Sequence, residues 1–135
     1  MAKAAIYTRV SGEKGSKENE SLDFQKKIGI AWCRKQAKQC DYEVFSDVCS
    51  GRIKLDKRRA GGQLLKRIKE FDCIVVNRFD RIFRDLDDCG FKLTMFEHLG
   101  VKLVSLSEDI DTSASIGEFM MDIISTVVQC ESEVR

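Results

Sequence analysis

Short apolar runs recur along this chain between segments whose apolar residues follow the helical period, and that alternation restricts its fold more than any other feature. Ala4–Ile6 and Cys73–Val76 read as buried strands. Extended through their neighbours, the runs predict strands at Lys3–Arg9, Tyr42–Ser46, Asp72–Asn77 and Val101–Leu106, with helices near Ser21–Lys38, Gly62–Phe71 and Leu86–Leu99. The order is βαβαβαβ. Right-handed crossovers then imply an α/β fold with a mainly parallel sheet of four to five strands and helices on both faces. Ser21 is placed as an N-cap with Asp23 in the first turn, and Gly100 as the stop after Leu99. At 135 residues and 43% hydrophobic content, one core is expected.

Two polar strings sit where strands end: YTRVS at Tyr7–Ser11 and DRIFR at Asp80–Arg84. In open α/β sheets ligands bind beyond the carboxyl ends of the strands, so a hydroxyl and several guanidinium groups are predicted to converge there. Arginine forks match phosphate oxygens, which points to a serine acting on a phosphate ester. Tyr7 lies two residues before Arg9 and shares its strand face, either as a core ring with its hydroxyl at the rim or as a member of the site.

The net charge is +1, so only its distribution is informative. Arg52–Lys69 carries eight Lys or Arg against one Asp, whereas Leu103–Val134 carries seven acids and no Lys or Arg. The basic run fits either a solvated helix face or contact with a nucleic-acid backbone. Six cysteines show no C-x-x-C spacing, which disfavours zinc and fits buried thiols in a reducing cytoplasm. No apolar stretch approaches a membrane span. His98, the one histidine, falls on a helix surface near its C-terminus, so a Ser-His-Asp triad is not supported. Trp32, Phe91 and Phe96 take helical positions and read as core. The acids at Asp85–Asp88 open a helix and suit its dipole without an ion.

Two segments stand outside the sheet pattern. Ser11–Glu20 is rich in glycine, serine and charge and reads as a mobile loop attached to Ser11. From Ser115 to Arg135, Ile116, Phe119, Met120, Ile123, Ile124, Val127 and Val128 follow helical spacing, giving an amphipathic helix about 30 Å long. That stripe either closes the core or packs on another subunit; the β-branched and Met-rich composition favours a subunit.

Six strings in order, YTRVS, SLDFQ (Ser21–Gln25), DVCSG (Asp47–Gly51), RAGGQLL (Arg59–Leu65), DCIVVNRFDRIFR (Asp72–Arg84) and TSASIG (Thr112–Gly117), make the chain resemble the N-terminal catalytic domain of serine recombinases. Within this resolvase/invertase family it looks most like the large serine integrase and transposase branch. The resemblance implies that Ser11 is a nucleophile that attacks a DNA phosphodiester, leaving a 5′-phosphoserine bond and a free 3′-hydroxyl. It also implies phosphate contacts by Arg9, Arg81, Arg84 and Arg59. Asp80 matches a carboxylate beside them, either a proton carrier or an orienting group, and Asp47, Ser50, Tyr7 and Gln25 match supporting positions. Residues 1–115 would be the catalytic domain and 116–135 the start of a long oligomerisation helix, in a fragment without the DNA-recognition domains. DNA would be the partner, with a homodimer at each site and a homotetramer at the synapse, and no cofactor, metal or membrane. The chain departs from the family pattern at Gly15, at Ala60, and after Glu131, where an arginine is usual.

Two other readings share the βα repeat. A flavodoxin-like phosphate-binding enzyme would want a G-x-G-x-x-G or G-x-x-x-x-G-K-[ST] cradle, which is missing. A non-catalytic oligomerisation or regulatory module would have no reason to keep Ser11, Arg9, Arg81 and Arg84 together.

Overall fold

The computed structural model describes residues 2–12, 21–107 and 110–111. Its sheet runs β1 (Ala2–Val10), β2 (Cys40–Val48), β3 (Cys73–Val76), β4 (Lys102–Ser105) and β5 (Ile110–Asp111), in the spatial order β2-β1-β3-β4-β5. The first four strands are parallel and β5 is antiparallel to β4. The helices are α1 (Leu22–Arg34), α2 (Arg59–Lys66) and α3 (Leu86–Leu99). The segment at 115–135, the TSASIG string and residues 13–20 of the glycine-rich loop lie outside the described residues.

β1 is paired on both edges, with β2 from Ala2↔Cys40 to Val10↔Val48 and with β3 from Ala4↔Cys73 to Tyr7↔Val76. A strand covered on both faces carries an unbroken apolar run rather than an alternation, which is why Ala4–Ile6 and Cys73–Val76 stand out in the sequence. The side chains of Ala4 and Ile6 join Cys33, Cys73, Val75 and Val104 beneath α1. Those of Ala5 and Tyr7 turn the other way, toward Leu64 of α2 and Leu93 and Phe96 of α3. Each such large side chain, fully buried, contributes about 1.5–3 kcal/mol. α1 lies so close to β1 that a Cβ on Gly29 would come 2.6 Å from Ile6 Cγ2.

Most predicted elements are present with shifted ends. The Ser21 side chain caps α1 by accepting from the Phe24 N–H at 3.1 Å. α3 has the predicted bounds: Asp85 accepts from the Asp88 N–H at 2.8 Å at one end, and Gly100 closes the other at φ 71°. α2 begins three residues earlier than predicted and passes at Lys66 into a 3₁₀ turn at Ile68–Glu70. Its glycines are not a terminus but a contact, since a Cβ on Gly61 would meet Leu55 at 2.6 Å.

Phe96 is buried in the core as predicted, Trp32 is partly buried against the edge of the core beneath α1, and His98 is exposed in the last turn of α3. Phe91 is a correction, being 81% exposed. At about 100° per residue it lies opposite Cys89 and Leu93, which define the buried stripe of α3. Among the described residues no helix is long and apolar enough to cross a membrane.

Candidate active site

The chain reverses direction of assembly around β1: β2 is added on one side and β3 on the other, so the connections leaving β1 and β3 part at their carboxyl ends. That crevice is the switch point at which open α/β sheets bind ligands. Ser11 leaves β1 there, and the 3₁₀ turn Phe79–Arg81 follows β3 there.

Arg9 is the centre of the cluster, and only 5% of it is exposed. Its Nε donates to the Arg81 carbonyl at 3.1 Å, Nη2 to the Asp80 carbonyl at 3.2 Å, and Nη1 to the Cys49 carbonyl at 3.0 Å. Nη1 also reaches Ser11 Oγ at 3.4 Å, on the exposed rim. Arg9 lies two residues past the last pairing with β3, where the ladder has run out. Gln25 of α1 replaces the missing strand. Its Oε1 accepts from the Arg9 N–H and its Nε2 donates to the Arg9 carbonyl, both at 3.1 Å. Gly51 leaves space for the guanidinium, since a Cβ there would come 3.1 Å from Nη2.

Tyr7 is fully buried on the same strand face. Its hydroxyl donates to Asp47 Oδ2 at 2.8 Å and accepts from Arg58 Nη1 at 3.2 Å. Burial, followed by the neighbouring Asp47, pushes its pKa up against the lowering effect of Arg58, so it stays a neutral phenol. Asp47 pairs with Arg9 in the β1–β2 register and accepts from the N–H groups of Ala60 (2.8 Å) and Gly61 (2.9 Å). It therefore caps α2 from another strand, where a carboxylate suits the positive end of the helix.

Arg58 is the residue the sequence reading missed. It is 3% exposed, and its guanidinium donates to the carbonyls of Arg81 at 2.6 Å, Ile53 at 2.8 Å and Gly51 at 3.4 Å as well as to Tyr7. Arg59, matched to this cluster by its place in the RAG string, is instead exposed and lines a groove between β2 and α2 with Glu43, Ser46 and Gln63. The two arginines are consecutive, and the first is in extended backbone (ψ 150°) while the second starts the helix, so they leave the chain in different directions. Spacing to Gly61 carries no information about that choice.

Arg81 is also buried, with Nε 3.9 Å from Asp80 Oδ1. Asp80 is half-exposed and its Oδ2 accepts from Arg78 Nη2 at 2.8 Å, a second partner absent from the sequence reading. Arg84 stands further out. Its N–H donates to Asp88 Oδ2 at 2.9 Å and its Nε to Asp85 Oδ2 at 3.2 Å, and with Asp80, Phe79 and Phe83 it walls a cavity of about 520 Å³. The Asp88 N–H, then Arg84, hold the Asp85 carboxyl below its usual range. Ser50 is exposed and accepts from the Arg52 N–H at 3.1 Å. The structure thus brings Ser11, Arg9, Tyr7, Asp47, Gln25, Asp80 and Arg81 to one end of the sheet, with Arg84 at its edge, Ser50 on the adjoining turn and Arg59 outside.

Electrostatically the cluster is unbalanced. Arg9 and Arg58 are held by carbonyl and hydroxyl oxygens rather than by carboxylates, and Asp47 is committed to Tyr7 and α2. Burial, then the charges of Arg58 and Arg81, lower the pKa of Arg9. A buried guanidinium bound only to neutral acceptors leaves its positive potential available to an outside anion.

A family model described as the resolvase N-terminal domain matches residues 4–135. The chain belongs to that family. Among its resolvase-family relatives, the transposon Tn3 resolvase of Escherichia coli is 30% identical over 126 residues, covering 93% of this chain and 61% of the relative. The DNA-invertase hin of Salmonella typhimurium is 30% identical over 95 residues, covering 70% of this chain and 48% of the relative. The chain thus spans about half the length of the curated relatives it matches. The crystal structure of the N-terminal catalytic domain of TP901-1 integrase superposes with a TM-score of 0.76 at 30% identity, covering 98% of both chains. A resolvase-family site-specific recombinase from Streptococcus pneumoniae has the same fold, with a TM-score of 0.70 at 24% identity over 98% of this chain and 89% of that one. The strand order 2-1-3-4-5 is also that of flavodoxin-like proteins, so topology alone leaves that reading open; the resolvase-family match closes it.

Proposed function

We propose that this chain is the catalytic domain of a site-specific DNA recombinase in which Ser11 is the nucleophile. The observation that carries the reading is the Arg9 guanidinium, buried among neutral acceptors, with Nη1 directed at Ser11 Oγ at 3.4 Å. A donor there favours the ionising hydroxyl and meets the charge that gathers on the non-bridging phosphate oxygens. Ser11 Oγ bonds to phosphorus as the bond to the 3′ oxygen breaks. The serine proton leaves and the released 3′ oxygen gains one, giving a 5′-phosphoserine link and a 3′-hydroxyl. Reversal with a different 3′-hydroxyl reseals the backbone with the same number of phosphoester bonds, so no external energy source is needed.

Arg81 and Arg84 complete the anion site in this reading, with Arg84 leaving Asp85 for the phosphate. Asp80, half-exposed beside Arg78 and Arg81, serves either as proton carrier or as orienting group. DNA is the macromolecular partner, in the cytoplasm, and the apolar stripe of residues 116–135 joins subunits into a dimer and a synaptic tetramer.

The test is to incubate a nicked duplex carrying the recombination site with the protein and map the attached nucleotide by peptide mass. Attachment at Ser11, abolished in Ser11→Ala with no change in unfolding midpoint, is expected. Attachment elsewhere, or cleavage that survives the substitution, would overturn the mechanism.

A further inference from the structure

Arg58 and Arg59 are neighbours with opposite surroundings. Arg59 is exposed in the groove between β2 and α2, whereas Arg58 is 3% exposed, and its guanidinium donates to Tyr7, Gly51 and Arg81 of the site as well as to Ile53. Gly51, whose carbonyl it holds, is the residue packed against the Arg9 guanidinium. Tyr7, whose hydroxyl it holds, shares the strand face of Arg9. The Arg81 carbonyl is held twice, by Arg58 Nη1 at 2.6 Å and by Arg9 Nε at 3.1 Å. One oxygen is therefore the common reference for two like-charged forks and for the turn that carries Asp80 and Arg81.

We propose that Arg58 is a positioning residue: through the Arg81 carbonyl and the Tyr7 hydroxyl it sets the location of Arg9 and of the Phe79–Arg81 turn while its own guanidinium stays off the substrate. The proposal rests on the reading of Ser11 and Arg9 as the reaction centre. It explains why a charge is buried here with no carboxylate among the described residues bonded to it directly. Four acceptors, on Tyr7, Gly51, Ile53 and Arg81, need a planar fork with five donors, and an ammonium offers three donors from a single point. Lysine at this position keeps the charge and loses the geometry. Displacement of Arg9 by about 1 Å is enough to cost about 10²-fold in rate.

The experiment compares Arg58→Lys with Arg59→Lys in two measurements. In the first, the Nε–Hε signal of Arg9 is followed by ¹⁵N NMR in the chain without DNA. Arg58→Lys is expected to shift it and speed its exchange with solvent, and Arg59→Lys to leave it in place. In the second, the single-turnover yield of Ser11–DNA adduct is measured on the nicked duplex. Arg58→Lys is expected to lower the saturated rate about 10²-fold with the half-saturating DNA concentration changed less than about threefold. Arg59→Lys, which keeps an exposed charge outside the cluster, should leave both the saturated rate and the half-saturating concentration within about threefold of the parent. An undisturbed Arg9 signal in Arg58→Lys, or a loss confined to binding, overturns the proposal. Should Arg58→Lys fail to fold, Tyr7→Phe removes one acceptor with the ring kept, and must shift the Arg9 signal in the same direction or the proposal fails. Absence of any Ser11 adduct in the unmodified protein would defeat the functional reading instead, and the Arg9 signal would still decide whether Arg58 holds that side chain in place.

Discussion

Arg67 and Arg9 both lie against the sheet, and they are satisfied in opposite ways. Arg67 forks onto Glu43 and Glu70, with Nη2 2.7 Å from Glu43 Oε1 and Nε 2.9 Å from Glu70 Oε2, and its guanidinium lies over the rings of Phe45 and Phe71. Lys3 approaches the same two carboxylates at 3.9 and 3.7 Å. The Glu70 and Glu43 hydrogen bonds push the Arg67 pKa up, whereas burial and two neighbouring guanidiniums push that of Arg9 down. One group is a surface knot in which the charges cancel; the other is a buried set in which they do not. The number of arginines therefore does not mark a site. What marks it is a guanidinium whose partners are neutral, because that arrangement costs folding energy in the free protein and leaves positive potential that an anion can meet in function.

The contrast can be broken most sharply at Arg9. Arg9→Lys should lower the single-turnover cleavage rate by about 10²–10³, the cost of one lost transition-state donor, while Arg67→Lys should leave it unchanged. Equal losses in the two variants would mean that the buried cluster has no special role. A smaller effect is expected at Gln25, whose amide closes both backbone groups of Arg9. Gln25→Leu leaves two buried polar groups unpaired at about 1–3 kcal/mol each, which urea unfolding would report as a loss of at least about 2 kcal/mol. A loss under about 0.5 kcal/mol would show that water satisfies Arg9 instead.

The smallest effect belongs to Arg67→Ala, and pH sharpens it. The Arg67 hydrogen bonds lower the pKa of Glu43 and Glu70, so the network stabilises the fold above the ordinary carboxylate value of about 4. That contribution is lost as pH falls through the lowered values, because the folded state must then take up the protons it had resisted. Urea midpoints of the parent and the variant should differ modestly at neutral pH and converge in acid. A gap that persists in acid would assign the stabilisation to ring stacking rather than to charge.

Several parts of this molecule are legible without coordinates. The strands β1 and β3 show because a doubly covered strand must be apolar throughout, and α3 shows because Asp85 and Gly100 mark its ends chemically. The placing of Tyr7–Ser11 and Asp80–Arg84 at strand ends follows directly. Other features leave weaker marks. The outward face of Phe91 is a question of helical phase, and α3 holds too mixed a set of side chains for phase to be read from composition. The part played by Asp47 is not local at all. It caps a helix that starts 12 positions later in the chain, and only the crossover over the sheet brings its carboxylate to the Ala60 and Gly61 N–H groups.

Local order along the chain, then, determined the βα alternation, the parallel sheet and the end of it where a hydroxyl and several guanidiniums would meet, because hydrophobic period and capping act over a few residues. Tertiary structure alone decided that Arg58 and not Arg59 enters that cluster, that Gln25 completes the edge of Arg9, and that the Arg81 carbonyl is shared. The physical reason is that a guanidinium is committed by the acceptors around it. Those acceptors come from β1, β2, the turn after β3 and the loop before α2, segments that become neighbours only when the crossovers close.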